Sequence, residues 1–497
     1  MEHGGDIVLY YIIVALAPFL PFVSFWFPQS TAPNNLYCYY QHPSRFELVV
    51  LIACLLELTH SCHSFHTIST LLFPDCLRAT YTMIAADETQ TQISHLPPGD
   101  SPSLHLTPAT PEERLAVLHL NSRAWKGPLD VTGYIAREDH LLQQQLTHGR
   151  LVCWVLVDSR EPANQRTILS SCETFRKNGL VARDGVVTDV TAHGIGSVYS
   201  RPEFRGKGYA RRMMEELKKT LDDGAVGMKG KCKDKAMFSV LFSDIGKRFY
   251  AQFGWVPFPS AHVQLPPIGL AELRRDMPGI DLPATRDLVG ADAVRKSMCN
   301  ETAVQRQREY LRLVSEKTPG ATKVAIDPDF QHLVWHWARE EFYAERLCPE
   351  KGRPLIKGAG HDDAGRAGVY CAWNRNFGET PEENTLYILR WAYDEPTTPA
   401  ETETTIEAMA AILRRAQHEA HVWGMARVEF WNPAPLMQKA VSMLDPTIEV
   451  IHREESSIAC LRWSGAEQEG KAVEWVWNEK YAWCGSSFLS SIIEYYS

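Results

Sequence analysis

Four residues in the middle of this chain, Arg205-Gly206-Lys207-Gly208, combine positive charge with two glycines just ahead of a helical pattern. Such a loop is suited to holding an anion. A helix N-terminus presents unpaired N–H groups and the positive end of its dipole, and glycine lets a phosphate approach the backbone closely. Alone, the fragment reads equally well as a basic turn that merely caps a helix. Two nucleotide motifs are excluded: no G-x-x-x-x-G-K-[ST] occurs, and a dinucleotide fingerprint would need three glycines after a first strand, whereas this loop follows at least three strand-like segments. Metal and redox chemistry find no footing. The twelve cysteines are scattered without a C-x-x-C pair, and the His- and Cys-dotted stretch His60–His66 has irregular ligand spacing.

The surrounding elements place the loop. Pro111–Leu120 has helical apolar spacing, with Thr110 as N-cap and Glu112 and Glu113 in the first turn. A second helical stretch spans Arg137–Gln145. Leu151–Val157, Thr167–Arg176 and Ala192–Ser200 carry strand patterns. The loop ends the third of these and opens a helix to about Leu221, with Met213, Met214, Leu217 and Leu221 on one face. A strand (Met237–Phe242), a short helix (Ile245–Phe253) and a strand from Trp255 follow. This order predicts an α+β fold, a mixed, mostly antiparallel sheet flanked by helices.

The stretch Val198-Tyr-Ser-Arg-Pro-Glu-Phe-Arg205-Gly-Lys-Gly208-Tyr-Ala210 resembles the R/Q-x-x-G-x-G/A acetyl-CoA motif of the GNAT superfamily of N-acetyltransferases. Phe249-Tyr250-Ala-Gln-Phe-Gly254-Trp255 is similar to that superfamily's F-Y-x-x-x-G-F/W segment, at the expected separation and in the expected element context. Across residues 100–484, Ser171–Lys177 and Trp477–Trp483 extend the resemblance to the fungal lysine N-acetyltransferase family. The resemblance implies acetyl-CoA as cosubstrate, with Arg205, Gly206, Lys207, Gly208, Tyr209 and Ala210 on its pyrophosphate. Val198, Tyr199 and Ser200 would pair with the pantetheine arm as an added strand does. Tyr250 stands where the family often keeps a general acid for the departing thiolate.

The implied acceptor is a small amine, the ε-amine of free lysine, as in lysine degradation. Only about one such amine in 2,500 is neutral at pH 7, so a carboxylate must take its proton. Glu173, on the strand preceding the CoA-binding strand, is the expected base, with a solvent-facing strand glutamate as the alternative. Attack would give an oxyanion held by a backbone N–H of 198–200, with direct transfer in a ternary complex and no acyl-enzyme. Acetylation of another amine or of protein lysine, and a non-catalytic acyl-CoA-binding protein, remain alternatives.

The C-terminal half repeats nearly the same element order, ending in a hairpin expected over Ile448–Trp463. At the position of the glycine loop it has Pro396-Thr-Thr-Pro-Ala400-Glu-Thr-Glu403, which lacks glycine and carries acids. A second, degenerate GNAT-like module that binds no CoA is therefore expected. The expected organisation is a leader (1–82), a flexible segment (83–110), an acetyltransferase domain (111–265), a linker (266–300), the second module (301–484) and a tail (485–497).

Composition bounds the rest. The chain has 497 residues, 45% hydrophobic and 22% charged, with a net charge of −9. That balance is ordinary for a globular protein and supplies no broad basic surface for nucleic acid. Residues 1–82 contain no lysine and only two basic residues, Arg45 and Arg78, against five acids. Their uncharged run 7–27 is long enough to span a bilayer, but Pro18, Pro21 and the missing basic flanks oppose that reading. A functional start at Met83 and a cytoplasmic location are expected, with a membrane anchor through 7–27 as the alternative.

Overall fold

The computed structural model describes residues 96–224, 235–275, 281–363, 368–465 and 472–483. The leader and its 7–27 run, and the tail 485–497, lie outside them. Among the described residues no helix is long and apolar enough to cross a membrane.

The first helix shows how locally these elements are encoded. Thr110 Oγ1 accepts from the N–H of Glu113 (3.1 Å) and Glu113 Oε2 accepts from the N–H of Thr110 (3.0 Å). This reciprocal cap satisfies two otherwise orphaned donors and starts α1 (Pro111–Trp125). Asp130 caps α2 (Val131–Leu142), which begins a turn and a half earlier than its apolar spacing predicts. Strands β1 (Leu104–Pro108), β2 (Leu151–Asp158), β3 (Ser170–Arg183) and β4 (Val186–Ser200) follow, then α3 (Tyr209–Asp223), β5 (Phe238–Ser243) and β6 (Val256–Pro257). The region 245–253 holds only a single 3-10 turn, Tyr250–Phe253.

The remaining elements are β7 (Ala261–Leu265), β8 (Arg286–Val289), α4 (Gly290–Met298), α5 (Glu301–Glu316), β9 (Thr322–Ile326), α6 (Phe330–Leu347), β10 (Ile356–His361), β11 (Val369–Asn376), β12 (Thr385–Ala392), α7 (Pro399–Trp423), β13 (Arg427–Trp431), α8 (Pro435–Leu444), β14 (Ile451–His452), β15 (Ile458–Trp463) and β16 (Val473–Trp475).

Two sheets result. The first runs β1-β2-β3-β4-β5-β15-β6, with β9 and β16 added along the far end of β3; the second runs β14-β7-β13-β12-β11-β10-β8. Reversing the second gives strand-for-strand correspondence, including a parallel pair at the same place in each, β4–β5 and β12–β13. The duplicated architecture is thus present, but the halves trade a strand. β7 pairs with β13 of the second sheet, while β15 pairs with β5 of the first, Ile458 facing Ser243 and Trp463 facing Phe238.

Four expectations change accordingly. The chain division at 265/266 does not divide the sheets. Residues 266–300 are no bare linker, since β8 forms the edge of the second sheet and the apolar face of α4 (Val294, Met298) is buried. The segment 83–110 contains an ordered edge strand, β1, paired with β2 from Leu104↔Asp158 to Pro108↔Trp154. Similarly, 448–463 is no hairpin, because β14 joins β7 and β15 joins β5. One apolar cluster takes Phe238 and Val240 from the first sheet and Leu288, Ala372 and Leu389 from the second, so the halves share a core.

Candidate functional site

The glycine loop lies between β4 and α3. Gly206 and Gly208 have φ of 73° and 85°. These left-handed conformations, which cost other residues roughly 1–2 kcal/mol, turn the chain sharply into α3. Gly208 is the N-cap and supplies no side chain, and no side-chain hydrogen bond caps α3. Its first-turn N–H groups are therefore left for an external acceptor.

Behind the loop runs the segment from Pro97. Tyr209 Oη donates to the Pro97 carbonyl (2.7 Å), and a Cβ on Gly99 would come within 2.4 Å of the Lys207 carbonyl oxygen. Such close backbone approach requires glycine at 99. Arg205 Nε points back to the Ser200 carbonyl at 3.4 Å. Ala210 is half-buried in α3's first turn.

At its last turn β4 departs from regular pairing. Ser171 faces Tyr199 and Glu173 faces Gly196, so β4 carries one extra residue there, and Ser197 adopts φ 52°. This is a β-bulge, which re-aims the strand end. Val198 and Ser200 are half-buried, while Tyr199 is buried edge-on against Trp125, with ring centres 5.7 Å apart. The parallel pairing of β4 with β5 ends at Ile195↔Leu241, before the bulge.

Glu173 sits beside this bulge and is not solvent-facing; it is 7% exposed. Ser197 Oγ donates to its Oε2 at 2.6 Å. Burial, reinforced by the nearby Glu138 carboxylate, pushes its pKa up to about 7, against the opposing pull of Ser197, Arg114 and Arg137. Arg137 is fully buried: its Nε donates to Glu138 Oε1 (2.9 Å) and its Nη1 to the hydroxyl of Tyr343 on α6. The second half thus reaches the surroundings of Glu173. Arg114, Arg137, Glu138, Ser197 and Tyr343 carry no local sequence signal, apart from the Gly-Ile-Gly before Ser197, since glycine inside a strand often marks a bulge.

Tyr250 is buried in the 3-10 turn, which docks on the first turns of α3: Arg211 Nη2 donates to Gln252 Oε1 (2.6 Å), and Arg211 lies 5.8 Å from the Phe253 ring centre. Loop, bulge and Tyr250 therefore gather around the start of α3, with Glu173 on the neighbouring strand. Among the described residues no group of three His, Cys, Asp or Glu could hold a metal.

Residues 274–484 match the model of the LYC1 GNAT-like C-terminal domain. The chain is 24% identical to an uncharacterized protein of Saccharomyces cerevisiae over 393 residues, covering 73% of this chain and 93% of the relative. It is also 24% identical to the lysine acetyltransferase of Yarrowia lipolytica over 410 residues, 76% and 98% of the two chains. Among solved structures, a probable N-acyltransferase from Enterococcus faecalis aligns with a TM-score of 0.42 at 16% identity, over 73% of each chain. Residues 274–484 are thus similar to a GNAT-like C-terminal domain, and the chain is similar over most of its length to a lysine acetyltransferase.

Proposed function

We propose that the chain transfers the acetyl group of acetyl-CoA to the ε-amine of free lysine, directly and within a ternary complex. The observation that carries this is the meeting of an uncapped helix N-terminus with a buried, hydrogen-bonded carboxylate at a strand bulge. The amides of residues 206–210 would hold the pyrophosphate, and Arg205 and Lys207 add charge of the right sign. Val198–Ser200, beyond the last β4–β5 pair, would bind the pantetheine arm. The cosubstrate supplies the activated acetyl thioester.

Glu173 suits the base. A carboxyl with a pKa near 7 is substantially ionised at neutral pH yet basic enough to take a proton from the incoming ammonium. Ser197 orients its Oε2. Tyr250, buried beside α3, would return a proton from its Oη to the departing sulfur. The lysine acetyltransferase of Yarrowia lipolytica, aligned over nearly its full length, supports lysine as the acceptor.

The test is thiol release by the purified full chain from acetyl-CoA with free lysine, other small amines and lysine-containing peptides. Free lysine should be the preferred acceptor. A preference for peptides would move the reading to protein lysine, and no release above hydrolysis would leave a non-catalytic acyl-CoA-binding protein.

A further inference from the structure

A second group of charges surrounds Trp431 at the end of β13. The Arg453 guanidinium carbon lies 4.0 Å from the Trp431 ring centre and Lys480 Nζ lies 4.1 Å from it. Lys480 also sits 4.0 Å from Trp483 and 4.5 Å from Tyr387. Glu429 accepts from Trp431 Nε1 (3.1 Å) and from Gln264 Nε2 (3.1 Å). Asp244, just after β5, accepts from the Ser457 N–H (2.8 Å), and its charge reaches both Lys480 and Arg453.

Arg453 is the anomaly. It is 8% exposed and its backbone N–H is used, donating to the Ser260 carbonyl (2.8 Å). Its Nε, Nη1 and Nη2 are nevertheless all buried without a hydrogen-bond partner. A guanidinium carries five donors in a planar fork, and burying them unmet is costly unless an anion completes them. A planar fork held over an indole, its donors unmet, is suited to gripping a carboxylate through two parallel hydrogen bonds.

The place of this fork relative to Glu173 follows from the sheet. Trp431 and Trp483 share an apolar cluster with Phe175, which lies two residues from Glu173 and therefore on the same face of β3. Glu173 faces Gly196 on β4, and Gly194↔Val240 and Ile195↔Leu241 set the β4–β5 register. Phe242 is thus the β5 residue level with Glu173, two strands across the sheet, and Asp244 follows two residues beyond it.

Building on the acetyl-transfer reading, we infer that Arg453, backed by Trp431, holds the α-carboxylate of the acceptor, with Glu429 and Asp244 as the counter-charges for its α-ammonium. The acceptor is then a free amino acid whose reacting amine stands at the far end of a long side chain. A peptide-bound lysine is disfavoured because its carboxylate has become an amide and leaves the fork unmet.

Calorimetric binding and thiol release, measured separately with free lysine, lysine amide and 1,5-diaminopentane, test this. The wild-type chain should bind lysine roughly 30-fold or more tighter than either analogue, the scale of leaving a buried charge unpaired. Arg453→Met should erase most of that preference, and Arg453→Lys should keep only part of it. The melting temperature of ligand-free Arg453→Met should stay level or rise, because an unpaired buried charge is removed. Equal wild-type affinity for all three ligands overturns the inference without any variant, and so does an intact lysine preference in Arg453→Met. Lysine binding that depends on Arg453 without thiol release would keep this site and remove the acetyl-transfer reading. Lysine acetylation indifferent to the carboxylate would do the opposite.

Discussion

The helices that follow the two corresponding strands, α3 after β4 and α7 after β12, begin in opposite ways. Gly208 opens α3 with φ 85° and no capping side chain. Thr398 opens α7 with a reciprocal cap: its Oγ1 accepts from the N–H of Glu401 (3.2 Å), while Glu401 Oε2 accepts from the N–H groups of Thr398 (3.3 Å) and Thr397 (2.7 Å). One terminus leaves its donors for a ligand; the other spends them internally and adds a carboxylate where a phosphate would have to sit. The bulges differ in the same sense. In β4 the bulge carries Ser197, bonded to Glu173, whereas the extra residue of β12 is Leu389, fully buried in the shared core. On the proposed reading, the same fold makes a binding site where caps and bulge stay unsatisfied or polar, and a structural partner where they are filled.

Substitutions in the two loops should therefore separate binding from stability. The largest effect is expected for Arg205→Glu and Gly208→Asp, each of which sets a carboxylate against the proposed anion site. Calorimetry should find acetyl-CoA binding lost while circular dichroism stays native. Undiminished affinity in both would put the cosubstrate elsewhere.

Next in size is Glu173→Gln, with kcat lower by roughly 10²–10⁴-fold. In the wild type, kcat/KM should climb as pH rises through about 7, where Glu173 ionises, and that inflection should vanish in the variant. Loss should be partly recovered as pH approaches the amine's own pKa. The stability effect has the reverse sign. Because the folded-state pKa is raised, the folded chain holds this proton more tightly than the unfolded chain, and stability is lost as pH rises from about 4.5 to 7. Glu173→Gln should therefore melt no lower than wild type at pH 8. A pH-independent deficit in rate would remove Glu173 from the role of base.

Tyr250→Phe keeps the ring and its packing, so melting should barely move. If the phenol protonates the leaving sulfur, turnover should fall toward the lower end of the same range with acetyl-CoA binding unaltered. Unchanged kcat would assign Tyr250 to packing alone.

The smallest effect belongs to the second module. Thr398→Ala should cost about 1 kcal/mol of stability through loss of the cap, seen as a lower midpoint in urea, and should leave acetyl-CoA affinity as it was. A change in affinity instead would mean that the second loop also touches ligand.

Much of this contrast is legible in the chain itself. Gly206 and Gly208 before an amphipathic run declare an open helix start, and Thr398-x-x-Glu401 declares a closed one. The continuous apolar run 151–157 is a strand on its own evidence. The far arms of β3 and β4 are less visible, because 177–179 and 188–191 mix polar residues and glycine into the pattern. Asp184-Gly185, at φ 46° and 81°, is nonetheless a two-residue hairpin turn of the kind that such a dipeptide favours. What no local pattern encodes is pairing at long range. The Arg137–Tyr343 bond spans 206 residues, and the unmet Arg453 fork is defined only by what fails to surround it. The strand trade is invisible for the same reason, since β7 and β15 look alike whichever sheet receives them.

That trade has a kinetic consequence. β5 must wait for β15, made some two hundred residues later, before its outer edge is closed, and β13 must find β7 from far upstream. Contacts of such wide separation slow folding, and an unclosed strand edge is prone to wrong pairing meanwhile. Chains released from the ribosome near residue 266 would therefore carry an open edge on the first sheet, and the two halves are expected to refold as one cooperative event, not in turn.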